Sequence, residues 1–68
     1  MTVREAISFV RGFDHLRIGN GSAVYAEYSY KSDTLHAPAW HRRAWDYQVL
    51  YIEQLADPNW LWLEVRGL

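Results

Sequence analysis

His15, His36 and His41 are the only imidazoles in this 68-residue chain, and with Asp33 they are the nearest approach to a metal-ligating set. A zinc site needs three or four such donors converging at about 2 Å. Its usual sequence forms are a His pair four residues apart on a helix, or Cys and His at finger spacing. His36 and His41 stand five apart across Pro38, and the chain has no cysteine. The expectation is therefore histidines bonded to water or backbone, with no metal and no cofactor.

Candidate nucleophiles and acids or bases are Ser8, Ser22, Ser29, Ser32, Asp14, Asp33, Asp46 and Glu53. None sits in a nucleophile elbow, and Gly19-Asn20-Gly21 precedes a strand pattern where a phosphate loop would precede a helix. A chain this short also has little room for a deep pocket. These observations point away from an enzyme.

The stretch Trp40-His41-Arg42-Arg43-Ala44-Trp45 interleaves cations with aromatics, the combination that stacks bases and meets phosphate. On a helix, Trp40 and Trp45 would lie on the apolar side and the arginines opposite, with Asp46 at hand to pair with them. A net charge of −1 also argues against wrapping a polyphosphate backbone. The nucleic-acid alternative would rest on Arg42, Arg43, Lys31 and Arg17.

The elements that must position these residues read as follows. Thr2 and Glu5 fit a capping box at the head of a short helix over 3–11, with Val3, Ala6, Ile7 and Val10 inward and Gly12 as its stop. Alternation of Leu16 and Ile18, then of Val24, Ala26, Tyr28 and Tyr30, brackets Gly19-Asn20-Gly21-Ser22 and predicts a hairpin over 13–31. Residues 31–37 read as a polar loop.

From Pro38 the apolar positions fit a helix over 38–56 with an apolar arc of roughly 200°, twice what covering a core requires. A rival reading makes Tyr47–Ile52 a strand that Asp57-Pro58-Asn59 folds onto the next one. Its alternation is muddled, and the helix is preferred for Pro38 in the first turn and Glu53-Gln54-Leu55-Ala56 before Pro58. A strand over 60–66 follows, with Leu61, Leu63 and Val65 inward and Trp60 and Trp62 on the other face. The fold class expected is α+β, one domain over 1–68: a three-stranded antiparallel sheet packed on one long helix.

Without cysteine no disulfide can staple so small a domain, which leaves four Trp, five Tyr and two Phe, or self-association, to do so. No apolar run suits a signal peptide or a membrane span, so a cytoplasmic protein with no membrane partner is expected. The expected function is non-enzymatic protein binding, with Trp60, Trp62, Tyr25, Glu27, Trp40, Arg42 and Arg43 as contact residues and a homodimer as one possible state. In size, lack of cysteine and hairpin-helix-strand order the chain resembles the compact inhibitors of phages and mobile elements, anti-CRISPR proteins among them. That resemblance implies inhibition of a host defence complex.

Overall fold

A computed structural model describes residues 1–10 and 12–66. The first helix, α1, is Val3–Phe9. Its capping box forms as expected: the Glu5 amide donates to Thr2 Oγ1 at 3.3 Å and the Thr2 amide to Glu5 Oε1 at 2.9 Å. Val3, Ala6 and Ile7 are the buried positions. The helix ends earlier than predicted, with Val10 extended, and Arg11 lies outside the described residues. Tyr30 accounts for this end, since its hydroxyl donates to the carbonyls of Ile7 and Val10.

Five strands follow, β1 (His15–Asn20), β2 (Ala23–Ser29), β3 (Thr34–His36), β4 (Val49–Gln54) and β5 (Trp60–Val65). They form one mixed sheet in the order β3-β2-β1-β5-β4, with β1 and β5 parallel and the other pairs antiparallel. The hairpin turn is Gly21-Ser22, one residue later than Asn-Gly would place it. Gly21 takes φ +61 at its first central position, which a residue without Cβ adopts freely. The predicted polar loop contains β3, which extends the hairpin by pairing Tyr28 with Leu35.

The long helix over 38–56 does not form. Its place is taken by two 3-10 turns, Ala39–His41 and Ala44–Asp46, and by β4. Tyr47 is already extended at φ −67, ψ 143, and Val49, Tyr51 and Ile52 favour a pleated surface over a helix. The fold class is corrected accordingly: five strands in a mixed sheet, not three antiparallel strands under one long helix. The hairpin-helix-strand order that carried the resemblance to small inhibitors is lost with it.

A bulge explains the muddled alternation. Val49 pairs with Val65 and Tyr51 with Glu64, so Leu50 is an extra residue that reverses the parity of the strand. Val49 and Ile52 then share the core face, and Tyr51 and Glu53 the opposite one. Ahead of β4 the N-terminus joins the sheet, with the Val3 amide donating to Tyr47 O and the Val49 amide to Met1 O.

One face of the sheet carries the core. Leu16 and Ile18 of β1, Ala26 and Tyr28 of β2, and Leu61, Leu63 and Val65 of β5 meet α1 and Ala44. Leu61, Leu63 and Val65 thus face inward, as the alternation predicts. Trp45 closes the margin of this layer, edge-on to Tyr28 and beneath the Arg4 guanidinium. Truncating Leu63, which is fully buried, should cost ~2 to 5 kcal/mol. Leu50→Ala, at the exposed bulge, should stay within about 0.5 kcal/mol. Urea denaturation of the two variants checks this, since equal losses would place Leu50 inside.

Candidate functional site

Pro38 opens the crossover from β3 to the β4 side of the sheet, and the chain there winds into the first 3-10 turn. His41 donates its amide to Pro38 O at 2.9 Å, and Arg42 donates to Ala39 O at 3.4 Å. The His41 side chain is buried and holds the turn down. Its ring stacks on Tyr25 with centroids 4.2 Å apart, and its Nδ1 shares a hydrogen bond of 2.9 Å with the Tyr47 hydroxyl. Tyr47 in turn stands edge-on to both Tyr25 and His41. Burial, and secondarily Tyr25, push the Tyr47 hydroxyl above its ordinary value, so it stays neutral.

The consequence appears one residue earlier. Trp40 is 78% exposed, the most exposed of the large apolar side chains among the described residues. Arg42 and Arg43 are exposed on the same loop and have no acidic partner among the described residues, Asp46 included. The helix that would have put the arginines opposite Trp40 is absent, so one loop presents all three.

Trp60 and Trp62 lie on the sheet face opposite the core, where neither a helix nor a 3-10 turn covers them among the described residues. Parallel pairing sets His15 beside Trp60, Arg17 beside Trp62 and Gly19 beside Glu64. Trp60 stacks on His15 with centroids 4.4 Å apart, and the Arg17 guanidinium sits 4.5 Å from the Trp60 ring. Arg17 also pairs with Glu27 at 3.1 Å.

Trp62 lies over Gly19, where a Cβ would come within 2.8 Å of the indole and collide with the Ala23 carbonyl. That closeness leaves Trp62 only 9% exposed. Its Nε1–H donates to Glu64 Oε1 at 2.9 Å. The Gly21 amide donates to both Glu64 oxygens at 3.0 and 3.2 Å, and Tyr51 stands opposite Glu64 on the β4–β5 ladder. These donors, the indole first and then the Gly21 amide, hold the Glu64 carboxyl below its ordinary value against the opposing effect of burial. Tyr51 is pushed up, by burial first and then by the charges of Glu64 and Glu53.

The expected contact residues therefore separate into groups. Trp40, Arg42 and Arg43 are presented together, whereas Tyr25 serves to anchor their loop. Trp60, Trp62 and Glu27 are engaged on the open sheet face, with Arg17 among them. Lys31 is exposed in the turn between β2 and β3. The histidines part company too: His15 stacks on Trp60, His41 anchors the loop, and His36 is exposed on β3. No three His, Asp or Glu converge among the described residues. An exposed apolar run on β4, Leu50, Tyr51 and Ile52, was hidden by its assignment to a helix. Comparison with known proteins finds no matching family, no matching curated protein and no matching solved structure.

A folded-state value below the ordinary 4.5 means that Glu64 adds stability above about pH 4.5, and that this is lost as pH falls through the lowered value. Thermal melts of wild type and Glu64→Gln should differ most near neutrality and converge as pH falls below the lowered value. A gap independent of pH would show that the carboxylate charge is not what the three hydrogen bonds stabilise.

Proposed function

We propose that this chain is a small non-enzymatic protein-binding module that contacts an acidic, concave partner surface through Trp40, Arg42 and Arg43. The observation that supports it is an almost fully exposed tryptophan on a loop anchored by a buried histidine. Water-exposed indole is unfavourable by itself, and Trp and Arg are the side chains that most often dominate binding energy. A loop already fixed by His41, Tyr25 and Tyr47 loses little further freedom on docking. Two arginines without carboxylate partners among the described residues favour a partner that supplies them.

Inhibition of a host complex by a phage- or mobile-element-encoded module is one form of such binding, and it needs only that a surface be occupied. A cytoplasmic setting belongs to the same proposal and rests on the sequence pattern; among the described residues no helix is long and apolar enough to cross a membrane. Nucleic acid is the second reading, because an indole beside two unpaired arginines also suits a base and its phosphates.

Trp40→Ala should leave the denaturation midpoint nearly unchanged, within about 0.5 kcal/mol, while weakening capture of the partner by ~2 kcal/mol or more. The measurement is quantitative pull-down from host cells beside circular dichroism, with Arg42→Glu/Arg43→Glu as the charge test. Retained capture by both variants would remove this loop from the contact. A salt series with single-stranded and duplex oligonucleotides separates the second reading, since phosphate contacts give affinity that falls steeply with salt.

A further inference from the structure

The outer edge of β4 is divided by the bulge at Leu50. Before it the edge is occupied, since Tyr47 O accepts from the Val3 amide at 3.0 Å and the Val49 amide donates to Met1 O at 2.7 Å. Beyond it no strand pairs with β4 from outside among the described residues. The phase of the free part follows from the inner ladder. Leu55 donates to Trp60 O, and Glu53 and Tyr51 lie opposite Trp62 and Glu64, so these residues bond inward. By alternation Ile52 and Gln54 turn their N–H and C=O groups outward.

This free segment is lightly protected, by the bulge at Leu50 and the single charge of Glu53. Leu50–Gln54 contains no Lys and no Pro, and Leu50, Tyr51 and Ile52 are 54%, 52% and 38% exposed. At the other end of the sheet, β3 is only three residues long, which is itself a protection.

We propose that a second copy of this chain pairs antiparallel with this edge, about a twofold axis at Ile52. The free segment is self-complementary in that register alone. With the axis at Ile52, the two Ile52 side chains meet on the core side, Glu53 faces Tyr51 of the second copy, and Leu50 faces Gln54. Moving the axis to Glu53 sets two carboxylates directly opposite, which is destabilising. Moving it to Tyr51 drives Glu53 of the second copy against Val49, where Met1 already holds the edge. Moving it to Gln54 carries each strand past its own end toward the Asp57-Pro58 turn. The overlap is five residues, short of the roughly 800 Å² per partner of a standard interface, so the dimer is weak and depends on concentration.

Sedimentation equilibrium should show the 8.0 kDa species passing toward twice that mass as concentration rises to about 1 mM. Ile52→Lys, folded by circular dichroism, should remain a monomer throughout. Wild type that stays monomeric, or an Ile52→Lys variant that associates equally well, overturns the proposal. The register is read by single cysteines in this cysteine-free chain. In an antiparallel hydrogen-bonded pair the Cα atoms lie about 5.5 Å apart, within disulfide reach. Ile52→Cys should cross-link at least about tenfold faster than Glu53→Cys or the control Ser8→Cys on α1. Equal rates at all three overturn the surface, and a faster Glu53→Cys overturns the register.

Discussion

Glu64 carries a charge on a strand that is flanked on both sides, and its carboxylate is satisfied by an indole and a turn amide. A charge left without such partners at low exposure would be strongly destabilising. The arrangement is a consequence of having one helix and one sheet. Among the described residues no helix or second sheet lies above the other face of the sheet, so side chains close it themselves. Trp62 does so by lying on Gly19, and an indole N–H placed there requires an acceptor, which Glu64 supplies two residues along the same face.

The same carboxylate joins three parts of the chain. Through Gly21 it holds the turn of the β1–β2 hairpin, through Trp62 it sits over β1, and on the ladder it stands opposite Tyr51 of β4. The parallel pairing of β1 with β5 brings Gly19 beside Glu64, so the register of that pairing and the carboxylate's bonds depend on each other. Asn20 adds a bond to Val65 O at 2.8 Å in the same corner. A consequence for function is that Trp62 is committed to the fold and Trp60 to His15 and Arg17. Trp40, on a loop with its own anchor, is left to face outward.

Local chemistry was legible from the sequence, and topology was not. The capping box of Thr2 and Glu5, the alternation across β1 and β2, and the inward face of β5 each depend on neighbours a few residues apart. The misreading of 38–56 has a physical cause at Leu50. One bulged residue puts Val49 and Ile52 on the same face, three positions apart, and that is the spacing by which a helix is recognised. Strand β4 was therefore concealed as part of an apolar helical arc. The parallel contact between β1 and β5 joins residues some forty-five positions apart and leaves no local pattern. For the candidate site, Trp40, Arg42 and Arg43 were visible by type. Their joint exposure was not, because it follows from the absence of the helix and from the burial of His41 between Tyr25 and Tyr47.

The central claim is a division of the tryptophans into those that close the sheet and one that is presented. Hydrogen exchange of the four indole N–H groups, resolved by NMR in the intact protein, tests it directly. The account predicts slow exchange for Trp62, whose N–H is held by Glu64, and exchange near the free-indole rate for Trp40. Trp62 exchanging as fast as Trp40 in the folded protein would contradict it.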